Sequence, residues 1–231
     1  MDCFAVRIVR LKIIRYPMLF ILRARIWQRM KINRYLRQSD DPKLQIGFGN
    51  NPLNGWLNTG VSLSEIWHGA YLDAGKQFPL PDSSLNYVYS EHVFEHLSYQ
   101  QGINMLKESY RVLKPGGLIR IATPNLQFLL DLYQEPENPL HRDYIEYSSK
   151  HGGIPPKPVY VISRFHTDWG HKVIYDRETL ANLLEEVGFT CICICEVGKS
   201  KHSALIGVEG HDKVLPDCFN RLETMILEAV K

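Results

Sequence analysis

Between residues 85 and 123 the apolar residues change their period twice. Residues 85–90 read as a strand. From Tyr99 to Leu113 the period is helical, with Ile103, Leu106, Tyr110 and Leu113 on one face and Lys107 and Arg111 on another. Pro115-Gly116-Gly117 stops that helix, and residues 118–123 read as a strand again. Strand, helix and strand in so short a span make a crossover unit, which sets its two strands parallel in one sheet.

The alternation continues on both sides. Residues 43–47, 56–61 and 70–73 read as earlier strands. Asp176 caps a helix whose Leu180, Leu183, Leu184 and Val187 form the buried stripe. Tyr175 and Leu180 hold its staple positions, and Gly188 ends it. Residues 189–197 follow as a strand. Residues 223–230 make the last strand, with a helix as the alternative. This is an α/β pattern with a mostly parallel sheet, a fold that gathers ligands at the carboxyl ends of its strands. Residues 135–168 carry many Pro, Gly, His and aromatic residues without a period, and read as a long loop or lid.

The chain of 231 residues suits one ordinary domain with a small appendage. Charge marks the appendage. Residues 1–37 hold ten Lys or Arg and one acid, a net +9 against −7 for the rest. The domain boundary is therefore set at 1–40 and 41–231. Residues 3–37 read as helical with a break at Pro17, and Leu19, Leu22, Ile26 and Met30 recur at helical spacing. Two readings stand: an amphipathic helix on an anionic membrane surface, or a basic helix packed on the body. A transit peptide is a third, disfavoured by the shortage of serine. No apolar run reaches the roughly 18 residues of a membrane span, so the expected location is cytoplasmic, with peripheral membrane contact through residues 1–37. Cys191, Cys193 and Cys195 alternate along one apolar run, the pattern of reduced cysteines on one face of a strand.

Two motifs carry chemistry. Gly47-Phe48-Gly49 follows the first strand directly, where glycine lets a backbone approach a ligand. His92-Val93-Phe94-Glu95-His96 has the H-x-x-E-H spacing of an inverted zinc-peptidase motif. That reading needs a helix with both histidines on one face and a third ligand downstream. The strand-like residues just before His92 argue against it.

Taken together, LQIGFGNNPLNGWLNTG, LDAG at 72–75, FPLPDSSLNYVYSEHVFEHL and ESYRVLKPGGLIRIATPN resemble S-adenosylmethionine-dependent methyltransferases of the Rossmann-like class. FHTDWGHKVIYDRETLANLLEEVGF also looks like the bacterial group associated with surface-polysaccharide biosynthesis. The resemblance covers residues 43–231. It implies a mostly parallel sheet with an antiparallel last strand and helices on both faces, preceded here by the basic helix. It implies S-adenosylmethionine as cofactor, and a glycan, lipid-linked sugar or small metabolite as acceptor. Gly47, Gly49 and Asn50 would make the turn under the methionine end of the cofactor. Asp73 and Ala74 would lie near the adenine, and Ser90, Glu91 and His92 would face the methyl group. A base near the acceptor would be His92 or His166. FPLP at 78–81 and Asn125 would lie on the acceptor side. No metal set is assigned; His92, His166 and His171 form the minor alternative. Nucleic acid is an unlikely partner for an acidic body without an RNA-binding module.

Two departures stand out. The family ends its second strand with an acid that holds the ribose hydroxyls, and Gly60 occupies that position. The nearest carboxylate in the next segment is Glu65. Without any replacement, a decayed methyltransferase fold with a binding or scaffold role becomes the alternative. Second, only residues 48–55 separate the first two strands, fewer than the dozen or so that a parallel crossover takes. Either the first crossover helix is missing, or the second strand is not the standard one.

Overall fold

The computed structural model describes residues 26–231. Residues 26–38 are helical (α1) and belong to a unit separate from the body, which begins at Asp41. The part of the expected arm before residue 26, with the Pro17 break, lies outside the described residues.

The body holds strands β1 (Lys43–Ile46), β2 (Leu57–Gly60), β3 (Ala70–Tyr71), β4 (Leu85–Glu91), β5 (Leu113–Pro124), β6 (Thr190–Cys195) and β7 (Thr224–Val230). They form one sheet in the order β3-β2-β1-β4-β5-β7-β6. The first five run parallel, while β7 is antiparallel to both β5 and β6. The helices are α2 (Leu63–His68), α3 (Tyr99–Val112), α4 (Leu126–Gln134), α5 (Pro139–Gly152), α6 (Pro158–Thr167), α7 (Arg177–Val187) and α8 (Asp217–Glu223). This is a mixed α/β sheet, parallel through its first five strands and antiparallel at β7.

β1 and β2 pair in parallel with no helix between them, which decides the open question of the first crossover. Side chains replace the helix. Gln45 Nε2 donates to the Asn51 carbonyl at 2.9 Å, and Gln45 Oε1 and Asn58 Oδ1 accept from the Leu53 amide at 3.1 and 3.0 Å. Trp56 at the end of this loop packs with Tyr89 and Leu118, and Leu205 and Val208 from the β6–β7 connection complete the cluster. A chain segment from the far end of the sequence thus fills space on the sheet beside that short loop.

Residues 135–168 are not the loop expected from their composition. They contain α5 and α6. Pro139 and Pro158 stand in the first turns, where the missing N–H costs nothing, and Asn138 caps α5. His141, Tyr144, Ile145 and Ser148 are buried at helical spacing. With α4 and α8 these helices build a second core around Phe128, Leu132, Tyr144, Phe165 and Phe219. Three smaller differences concern strand ends. β5 begins at Leu113, so Pro115-Gly116-Gly117 lies inside the strand; Gly116 has φ +77 and its amide bonds Lys231 O at 2.9 Å. β6 is irregular at Cys191, φ +51, so only Cys193 and Cys195 keep their sulfurs together, 3.9 Å apart. Glu223 ends α8 rather than opening the last strand.

Arg120 of β5 is fully buried. It pairs with Glu228 directly across on β7 at 2.5 Å and with Glu209 of the β6–β7 connection at 2.6 Å, and donates to the carbonyls of Lys199 and Glu196. Removing one member strands the others as buried charge. We expect Arg120→Met to cost about 3–5 kcal/mol and to lower Tm by roughly 10 °C, read by thermal unfolding in circular dichroism. A variant melting with the wild type would show the network to be dispensable.

Candidate functional site

The carboxyl ends of β1, β2, β3 and β4 meet at one edge. In register, Ile46 lies beside Thr59 on one side and Ser90 on the other, and Gly60 beside Tyr71. The predicted residues Gly47, Gly60, Asp73 and Ser90 therefore share that edge.

Gly47 and Gly49 adopt φ of +67 and +49, the left-handed region. A Cβ on Gly47 would stand 2.4 Å from Val93 Cγ2, so this turn must pass bare against the segment after β4. A Cβ on Gly49 would meet nothing within 4 Å, so open space lies beside it. Asn50 is exposed next to it.

Glu65 occupies the place left by Gly60. Ser62 caps α2, and Glu65, the fourth residue of that capping box, turns its carboxylate back over the strand end. A Cβ on Gly60 would lie 2.2 Å from Glu65 Cδ. The carboxylate accepts from the amides of Gly49 at 3.1 Å, Val61 at 3.2 Å and Ser62 at 2.9 Å. Burial pushes the Glu65 carboxyl up, but the hydrogen bonds from Ser62, Gly49 and Val61 outweigh it and hold the group below the usual carboxylate range. The acid missing from the β2 terminus thus arrives from the next helix.

Asp73 spends one oxygen on the Gly75 amide at 3.0 Å and the other on Lys76 at 2.9 Å; Ala74 is buried behind it. Ser90 is buried, and its hydroxyl has no hydrogen-bond partner within the protein. A buried hydroxyl so placed fits a bound polar ligand. Glu91 does not face open space: its carboxylate accepts from the Gly210 and His211 amides, each at 3.0 Å. It holds a loop.

Beyond β4 the chain opens a cavity of about 570 Å³. His92 and His96 line it, with Tyr144 of α5, Arg164 of α6, and His171, His211 and Glu223. His92 sits at φ +49, a strained position for a residue with a side chain. Its Nδ1 bonds Glu95 Oε1 at 3.1 Å, and Thr123 Oγ1 donates to Glu95 Oε2 at 2.9 Å. Burial lowers His92, but the hydrogen bond and charge of Glu95, with Glu223 and Glu91 behind it, raise it overall. Residues Phe94–His96 form a single 3-10 turn, not the helix a peptidase motif needs. His166 is exposed on α6 and does not line the cavity, which removes it as a base there and from the His92, His166 and His171 set. His171 does line it, with Nδ1 bonded to the Phe165 carbonyl at 2.7 Å. Asn125 caps α4 through the Gln127 amide at 3.1 Å, and Arg111 pins Phe78 O and Leu80 O, so both these acceptor-side expectations meet structural roles. Sequence reasoning missed His211 and Glu223. Neither belongs to a motif.

Residues 67–121 match the family model described as a methyltransferase domain. A probable S-adenosylmethionine-dependent methyltransferase of Mycolicibacterium smegmatis is 38% identical over 65 residues, 28% of this chain and 24% of that protein. The chain thus aligns with about a quarter of that relative's length. Among solved structures, a SAM-dependent methyltransferase from Archaeoglobus fulgidus is similar at TM-score 0.49 and 18% identity, over 94% of this chain and all of that one. One from Mesorhizobium loti is similar at TM-score 0.49 and 14% identity, over 85% and 95%.

The packing of Gly60 under Glu65 has a direct test. Gly60→Asp must displace the Glu65 carboxylate, and loss of the cap contacts should cost about 1–2 kcal/mol. In a Glu65→Ala background the same substitution should cost less, a coupling that denaturant unfolding of the four proteins in a double-mutant cycle will show.

Proposed function

We propose that this chain is an S-adenosylmethionine-dependent methyltransferase, with the cofactor across the carboxyl ends of β1, β2 and β4 and the acceptor in the His92 cavity. The observation that carries this reading is the Glu65 carboxylate beside the glycine turn. It supplies the anchor whose absence motivated the decayed-fold alternative, and no other observation favours that alternative.

Gly47 and Gly49 give a bare backbone for the methionine end, and the unpartnered Ser90 hydroxyl lies at the same edge. Glu65 accepts from the ribose hydroxyls. Asp73 and Ala74 border the adenine side. The bound cofactor would supply an activated methyl group, so the protein's task is alignment and exclusion of water. Val93, packed over Gly47, fixes how the segment after β4 leaves the cofactor edge and enters the cavity. His92 follows from this as the acceptor-side residue. Glu95 holds Nδ1 of its ring, and Nε2 lies 3.3 Å from the Thr224 hydroxyl. The acceptor class we propose is a glycan, a lipid-linked sugar or a related small metabolite. The basic arm fits peripheral attachment to an anionic membrane: Ile26, Trp27 and Met30 of α1 are exposed beside Arg29 and Arg34. No described helix is long and apolar enough to cross one.

Calorimetry with S-adenosylhomocysteine tests the site. Wild type should bind with micromolar affinity, and Glu65→Ala should bind roughly ten- to a hundredfold more weakly, about 1.5–3 kcal/mol. No binding by wild type at millimolar ligand would overturn the reading. The pH dependence carries a sign. A carboxyl held below its ordinary value of 4.5 keeps its charge, and its contacts, above that pH, and loses them only as pH falls through the lowered value. Binding should therefore stay level from neutrality down through pH 5 and fall only once the pH drops below 4.5.

A further inference from the structure

His92, His211 and Glu223 come from three places in the chain: the turn after β4, the β6–β7 connection and the end of α8. Their donor atoms all lie within 4.8 Å of one another. His211 Nε2 and Glu223 Oε1 are 3.2 Å apart. The two imidazoles lie against each other, centroids 4.0 Å apart and planes tilted by 30°. All three side chains line the cavity, and each is only partly closed from it: 17% of the His92 side chain, 27% of His211 and 7% of Glu223 remain exposed.

From this arrangement the geometry points to a divalent-cation site, with His92 Nε2, His211 Nε2 and Glu223 Oε1 as ligands and the cavity side left open for an oxygen of the acceptor; the ion would take His92 Nε2 from its 3.3 Å contact with the Thr224 hydroxyl. It rests on the methyltransferase reading for the identity of that acceptor. Bonds of about 2.0–2.2 Å to a first-row cation set neighbouring donors about 3–3.5 Å apart, which the His211–Glu223 spacing already meets. Two imidazoles and one carboxylate suit zinc, manganese or iron rather than the all-oxygen shells of magnesium or calcium.

The partners behind the three ligands strengthen the assignment. A metal-binding histidine typically gives its other ring nitrogen to a carboxylate, which fixes tautomer and orientation. His92 has Glu95 in that role, and Glu95 is itself fixed by Thr123. His211 is placed by its own backbone amide, held by Glu91 at 3.0 Å. The Tyr144 hydroxyl donates to Glu223 Oε2, leaving Oε1 on the His211 side. Each ligand is thus oriented from outside, and the left-handed backbone at His92 gains a reason. Three protein ligands with one side open is the form of a catalytic cation site, where the ion orients an oxygen and eases loss of its proton. An acceptor that reacts through a hydroxyl or a phenol suits such a site better than one that reacts through an amine.

Two other clusters in the described residues are weaker. Glu95, His96 and His171 share the Glu95 carboxylate already engaged by His92 and Thr123. Cys193, Cys195 and Glu228 lie at β6, where burial and the charge of Glu228 push the Cys195 thiol up to about 12, and Glu228 is paired with Arg120.

The test uses the full chain, stripped with EDTA, and titrated with zinc in the calorimeter and with cobalt in the visible spectrum. One equivalent should bind with micromolar affinity or better. His211→Ala and Glu223→Gln should each weaken binding at least tenfold, while S-adenosylhomocysteine binding and Tm stay near wild type. Zinc binding unchanged in both variants would place the ion elsewhere, and no binding at millimolar zinc would leave the cluster a hydrogen-bond network; either result overturns the inference. The same samples separate the two readings. S-adenosylhomocysteine binding without zinc binding removes only the cation, and zinc binding lost in both variants without S-adenosylhomocysteine binding upholds the cation while removing the methyltransferase.

Discussion

The guanidinium of Arg120 joins three parts of the molecule that are distant in sequence. It sits inside the sheet on β5, faces Glu228 across the strand pair, and reaches Glu209 and two carbonyls in the connection between β6 and β7. A charge this deeply buried is tolerated only where every donor finds an acceptor. Meeting that demand fixes where the connection runs. Leu205 and Val208 are set down against Trp56 and Tyr89, and the residues just after Glu209 are delivered to Glu91 at the end of β4. His211 enters the cavity as a consequence. The ion network thus determines the site without touching it.

The same demand explains how the sheet does without its first crossover helix. The loop after β1 is too short for one, and its polar backbone is satisfied by Gln45 and Asn58 from the flanking strands. Apolar cover comes from the β6–β7 connection. The short loop leaves the glycine turn close to α2, and it is α2 that carries Glu65 back to that turn. Loss of the helix, absence of the strand-end acid and the reach of Glu65 are one arrangement.

Much of the fold was legible because the period changes are strong where strand and helix alternate. The run from Leu85 to Thr123 and the helix from Asp176 to Gly188 needed no tertiary information. The failures have local causes. Pro139 and Pro158 read as loop punctuation, yet each opens a helix, where proline is at home. The stripe of α5 mixes His141 and Ser148 with Tyr144 and Ile145, so polarity hid its period. At the site, the glycines and the E-H-L segment could be read from local pattern. The part played by Glu65 depended on the angle at which α2 leaves β2. His211 and Glu223 lie more than a hundred residues from His92 in sequence, in a stretch without pattern, and only the fold brings them to it.

The β6–β7 connection serves both core and cavity, and this bears on how the protein can change over evolutionary time. A substitution there that adjusts the cavity also disturbs the cover of the sheet, so most such changes are removed by selection for folding before they are tried for chemistry. In the α5–α6 pair, Tyr144 and Phe165 carry that double duty, while other residues do not. The pair packs around the cluster of Phe128, Tyr144 and Phe165 while offering His151 and Arg164 to the cavity. Divergence in what the cavity accepts is therefore channelled into those two helices, while the wall built by His92 and His211 stays as it is.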